Sequence, residues 1–168
     1  MDNTKITGIV DSISYEITKQ KSTYPLDTIT LNLAQMIAKR IEDKASEIGV
    51  RAVIAICSAQ ARPVLIHCMN DSYIASYDIA LGKAYTSASI KMPTKELKAH
   101  TQPGGSLYGI QNTNDGKIVI FGGGEPLMLG GRIIGALGVS GGNEKQDTFL
   151  AEYGASVLEE EAKKCLQI

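Results

Sequence analysis

Lys83 is the side chain in this sequence best placed to do chemistry. It lies in a stretch rich in small residues, Ser72–Ile90, and shares a helical face with Ser76 and Ile79 through i, i+3, i+4 and i+7 spacing. Two roles are open to it: a solvated surface lysine, or an amine reaching into a pocket to hold an anionic group. His67 and Met69 fall on one face of a strand, Val64–Met69. Both types are common haem-iron ligands, so His67 is a candidate metal ligand beside its plainer role as a packed or surface residue. His100, in a loop before a proline-glycine turn, is equally open to ligation or solvation. The chain has only these 2 histidines, and no His-x-x-x-His, clustered cysteine or paired-carboxylate pattern builds a zinc or iron centre. Cys57 and Cys68 have no helix N-terminus or basic partner to lower a thiol pKa, so both are expected to be buried and structural. No catalytic triad can be assembled.

The second chemical feature is backbone. Phe121–Gly142 carries 9 glycines in 22 residues, and glycine weakens a strand by about 0.5–1 kcal/mol relative to alanine. Positive φ, tight turns, or close approach of a ligand or another backbone are the available reasons. The run reads as two short strands hinged by glycine, with a backbone-lined concavity at one end. Neither the phosphate-loop pattern nor the dinucleotide fingerprint is met. Gly122-Gly123-Gly124 is expected between two strands, with no helix N-terminus facing it. Gly141-Gly142 does precede a helix, so its amides either hold a small anion or simply make a turn.

The elements that position these residues follow from periodicity. Ile6, Ile9, Val10, Ile13 and Ile17 make an apolar stripe over a helix Thr4–Gln20, followed by a linker ending at Pro25. Such a helix must dock on its own domain, a sister subunit or another protein. Asp27 or Thr28 can cap a second helix, Ile29–Ile48, with Gly49 at its C′ position. Arg51–Cys57 and Val64–Met69 form a hairpin through Gln60-Ala61-Arg62. After the Ser72–Ile90 helix comes a short helical piece behind Pro93, then turn-rich loops around a short strand over His100–Gly116. Ile118–Phe121, Pro126–Leu129 and Ile133–Ser140 read as three more strands, and a last helix runs from about Asn143 to Lys164. Adjacent strands joined by short turns imply an antiparallel sheet with segregated helices.

Bulk properties narrow the class. The chain has 168 residues, 43% hydrophobic residues and a net charge of -1, enough for one ordinary core and without the basic field of a nucleic-acid binder. No apolar run is long enough for a membrane span. The N-terminus lacks a signal-peptide layout, and the 3 unpaired-looking cysteines fit a reducing compartment. The expectation is a cytoplasmic α+β protein, with no nucleic-acid or membrane partner.

The string SYDIALGKAYTSASIKMPTKEL, then IVIFGGGEPLMLGGRIIGALGVSGG and EKQD, resembles the GlcG/HbpS-like family. These are haem-binding or haem-degrading domains, and the family also forms the C-terminal domain of PduO-type cobalamin adenosyltransferases. The resemblance covers about Leu26 to Glu160. It implies a domain over residues 26–168 preceded by the helix and linker of residues 1–25. The implied fold is a five-stranded antiparallel sheet with flanking helices, a profilin-like three-layer α/β/α arrangement. It also implies a homo-oligomer, a dimer or an octamer, and haem or cobalamin as cofactor. The implied site lies between the Ser76–Thr86 helix and the glycine-rich strands: Ser76, Lys83, Thr86, Gly122, Gly123, Gly124, Pro126, Ser140 and Gly141, with Lys83 facing propionates.

The sequence departs from the family pattern in places. An aspartate usual near the first hairpin turn aligns with Ser58, and an Arg-Met-Asp after the second strand aligns with Cys68-Met69-Asn70. The helix Ile29–Ile48 has no histidine, so iron ligation from that helix is closed to this chain. PduO-type proteins belong to bacterial microcompartments. Residues 4–20 therefore suggest a peptide that docks on a shell protein, placing the chain inside such a compartment, or equally a helix packing on its own oligomer. The leading expectation is a non-catalytic accessory protein for a tetrapyrrole or corrinoid. An enzyme acting on a small anionic metabolite through Lys83 and the glycine amides, and a structural assembly module, are the alternatives.

Overall fold

The computed structural model describes residues 26–166. The expected helix Thr4–Gln20, its linker and any boundary at residue 25 lie outside the described residues. Helix α1, Leu31–Glu47, is capped by Thr30, whose Oγ1 accepts from Leu33 N at 3.3 Å. The cap is thus two residues beyond Thr28 and three beyond Asp27, whose carboxylate pairs instead with Arg132 at 2.7 Å. Leu33, Ile37, Ala38, Ile41 and Ala45 recur at helical spacing and are buried. Gly49 follows the helix at φ +70°, the left-handed position that ends it.

Strands β1 (Val53–Ser58), β2 (Pro63–Cys68), β3 (Gly124–Leu129) and β4 (Arg132–Ser140) form one sheet in the order β2-β1-β4-β3, every pair antiparallel. The sheet has four strands, not five. Ile118–Phe121 is not a strand although its β-branched residues suggest one. Its backbone pairs with a helix side chain instead: Val119 N donates to Thr86 Oγ1 at 2.9 Å. The short strand expected within His100–Gly116 is replaced by tight turns, with 3-10 turns at Ile110–Asn112 and Asn114–Gly116.

Helices cover both faces of the sheet. Helix α2 (Ser76–Ile90) covers most of one face, where Val53, Ala55, Cys57 and Ala136 meet Ala80, Ala84 and Ala88. Small residues permit a very close approach: a Cβ at Gly138 would stand 2.1 Å from Ala80 O. Helix α3 (Thr94–His100) follows, with Pro93 as its cap. On the other face Ile54, Ile56, Leu137 and Val139 meet α1, α4 (Glu144–Ser156) and α5 (Leu158–Leu166). The single last helix expected from the sequence is therefore two. Ser156 Oγ donates to the Tyr153 carbonyl at 2.7 Å, and Val157 caps α4 where the chain breaks.

The glycine-rich run forms the β3–β4 hairpin. Gly130 and Gly131 take φ of +57° and +77° between the paired Leu129 and Arg132, the conformation a two-residue hairpin loop requires.

Candidate functional site

Lys83 is buried, not solvated: its side chain has 0% exposure. The aliphatic stem crosses over Gly138, and Nζ donates to Val139 O and to Asp147 Oδ2, both at 2.8 Å. The Phe121 ring lies 4.9 Å from Nζ, within cation–π range. Burial lowers the lysine's pKa, while the charge and hydrogen bond of Asp147 pull the other way. The anion that Lys83 holds is thus supplied by the chain itself. Gly123, at φ +112°, explains one glycine of the triplet: a Cβ there would lie 2.6 Å from Lys83 Nζ.

The remaining glycines and hydroxyls tie the same region together. Asp147 Oδ1 accepts from Gly142 N at 2.9 Å, and Asn143 and Gln146 form a reciprocal cap at the start of α4. The Gly142 amide is therefore committed to Asp147. Gly122 N donates to Glu144 Oε1 at 3.0 Å, so the first turn of α4 does face the triple glycine, contrary to expectation. A hydrogen bond from Lys98, and then that of Gly122, lowers the pKa of Glu144. Gly124 N donates to Thr94 Oγ1, and Ser140 Oγ donates to Ser76 Oγ at 3.1 Å. Gly141 lies close against the Arg51 carbonyl, and Pro126 is half-buried opposite Ala136 in the β3–β4 ladder. Thr86 turns elsewhere, donating to Gly82 O at 2.7 Å while accepting from Val119. Asp147, Thr94 and Phe121 complete this centre and were not among the expected site residues; the only sequence signal for Asp147 was its place in the EKQD string.

An open groove lies on the other side of α2. It has a volume of about 620 Å³ and runs between the β1–β2 turn, the Asp78–Tyr85 flank of α2 and the segment Gly116–Val119. Ser58 folds the turn, its Oγ accepting from Gln60 N and Arg62 N, with Ala61 at φ +58°. The turn thereby brings Arg62 and Pro63 to the rim. Gly82 lets the far wall come close, since a Cβ there would stand 2.7 Å from Val119 Cγ2. Leu81, Pro63 and Val119 are its apolar walls, and Arg62 and Lys117 its cations. Cys57 lies at the base, with Sγ donating to the Ala84 carbonyl and burial raising its pKa to about 11. None of the nine expected cofactor-contacting residues lines this groove.

His67 lies on the opposite face of the sheet. It pairs in register with Ile54, which belongs to the α1 side, and its Nδ1 is 2.6 Å from Glu42 Oε1. Met69 Sδ accepts from Ala52 N at 3.3 Å. Among the described residues no three His, Cys, Asp or Glu side chains converge as a metal site, and no helix is long and apolar enough to cross a membrane. Cys57 is buried as expected, whereas Cys68, ending the edge strand β2, is exposed.

Residues 29–156 match the family described as haem degrading protein HbpS-like. The chain belongs to the HbpS-like family. An uncharacterized 15.0 kDa protein of the dhaT-dhaS intergenic region of Citrobacter freundii is 45% identical to this HbpS-like chain over 133 residues, 79% of this chain and 94% of that protein. The corrinoid adenosyltransferase PduO of the same organism is 37% identical over 115 residues, which are 68% of this chain but only 34% of PduO. The crystal structure of a PduOC:heme complex superposes on the HbpS-like domain with a TM-score of 0.74 at 32% identity, covering 77% of this chain and 94% of that one.

Proposed function

We propose that this protein is a non-catalytic accessory protein that binds a tetrapyrrole, haem first, in the groove between α2 and the β1–β2 turn. The observation that carries the reading is the fit of that groove to an amphiphilic disc. Its volume of about 620 Å³ falls in the range of about 300–1,000 Å³ usual for cofactor sites. Leu81, Pro63 and Val119 give it apolar surface, and Arg62 and Lys117, against one acid, Asp78, favour a ligand that carries carboxylates. The PduOC:heme complex, 32% identical in sequence, supports the choice of ligand class. In that groove Leu81, Pro63 and Val119 would hold the macrocycle and the two cations its propionates. The bound haem would supply the iron chemistry.

The test is titration of the purified protein with hemin, read by the Soret band. Saturation at one haem per chain is expected, with affinity lowered about threefold to tenfold in the double variant Arg62→Ala, Lys117→Ala, as for two exposed ion pairs. A wild type without a Soret response would overturn the reading. So would a double variant that binds like wild type. A parallel titration with aquocobalamin decides between haem and a corrinoid, the ligand class suggested by the PduO relative.

We propose in addition that the chain self-associates. Tyr73, Ile74 and Tyr77 stand exposed together at the start of α2, Ile74 at 95%, an apolar surface that a second copy would cover. Ile74→Glu is expected to lower the sedimenting mass. The isoleucine stripe of residues 4–20 supports the further proposal of docking on a microcompartment shell; deleting residues 1–22 should abolish co-assembly with shell proteins.

A further inference from the structure

Resting on the proposal that haem occupies the groove, we infer that Tyr85 supplies the ligand to its iron. Among the groove's residues Cys57, Asp78 and Tyr85 carry an atom that could reach iron; Asp78 is exposed, and a carboxylate is not among the usual haem ligands. Cys57 Sγ is buried and donates to the Ala84 carbonyl. His67 is on the far face of the sheet, bonded to Glu42. Tyr85 lines the groove from α2, half-buried, one turn beyond Leu81. A tyrosinate oxygen is an established axial ligand to haem iron.

The surroundings of the Tyr85 hydroxyl are built rather than incidental. Asn114 Nδ2 donates to Tyr85 Oη at 3.1 Å, and Thr113 Oγ1, which donates to Ile110 O at 2.7 Å, lies 2.9 Å from Asn114 Oδ1. Asn114 and Asp115 both take positive φ, +52° and +57°, to bring that amide into place. Two consecutive non-glycine residues in the left-handed region are uncommon and cost energy. Lys117 Nζ, 6.0 Å from the Tyr85 ring centroid, adds a cation beside the ring. A donor amide and a nearby cation both favour an oxygen carrying negative charge. On coordination to ferric iron the phenolic proton leaves to solvent and the Oη–Fe bond forms, with no change of oxidation state.

The experiment is hemin titration of the full chain, comparing wild type, Tyr85→Phe and Asn114→Ala. Wild type is expected to show the phenolate-to-iron charge-transfer band and phenolate modes in resonance Raman spectra. Tyr85→Phe should keep the helix and the groove walls, still take up haem, and lose both signatures, with affinity lowered at least tenfold. Asn114→Ala should retain the band but shift it. An unchanged spectrum in Tyr85→Phe, with haem still bound, overturns this assignment alone. Absence of haem uptake by wild type overturns it together with the reading on which it rests.

Discussion

Lys83 Nζ and Asp147 Oδ2 meet at 2.8 Å inside the protein, joining the middle of α2 to the first turn of α4 across 64 residues of sequence. Removing one partner of a buried pair leaves an uncompensated charge, at a cost of about 3–5 kcal/mol. Asp147→Ala is therefore expected to lower the urea midpoint sharply, and Lys83→Met with Asp147→Leu to recover part of the loss. A single variant losing less than about 1 kcal/mol, as an exposed pair would, would contradict the buried arrangement.

Glu125 makes stability depend on pH. It is 8% exposed, and its Oε1 has no hydrogen-bond partner. Burial is the main cause that moves its pKa up to about 7; Lys95 on α3 opposes this, and Glu152 on α4 and Glu96 on α3 reinforce it. The folded state thus keeps a proton that the unfolded chain releases near the ordinary glutamate value. Stability from this group falls as pH rises from about 4.5 through about 7. Glu125→Gln should raise the unfolding free energy from urea titration at pH 8 by on the order of 1–2 kcal/mol, with a smaller difference at pH 5. Equal gains at both pH values would exclude Glu125 as the titrating group.

His67→Ala should leave the spectrum of bound haem unchanged, because His67 faces α1 and Glu42 rather than the groove. The loss of its half-exposed pair is expected to cost at most about 1 kcal/mol. A shifted Soret band in this variant would return His67 to candidacy as a metal ligand.

How much of this was legible in the sequence depended on how local each cause was. Gly130-Gly131 announced its hairpin because two adjacent residues carry the whole turn. The stripe on α1 was equally plain, and the motif strings named the family. Ile118–Phe121 misled because propensity reports on side chains, whereas the fate of the segment was decided by one hydroxyl, Thr86 Oγ1, on a helix. Lys83 stayed open between a solvated and a pocket role because its partner, Asp147, lies far along the chain. The groove was invisible for a similar reason: Arg62, Tyr85 and Lys117 come from three separate segments. Glu125 gave no warning either, since only the packing of α3 and α4 beside β3 shuts out its water.

The two walls of the groove differ in kind. Helix α2 is fastened from behind by Lys83 and fitted so closely to β4 that even a methyl group at Gly138 has no room. The opposite wall ends a run of turns, residues 101–117, joined by local hydrogen bonds and contributing little to either core. Loops of that sort accept insertions and substitutions that a packed helix refuses. In the binding mode proposed above, a ligand would rest between one wall that cannot yield and one loop that can be remodelled without disturbing either core.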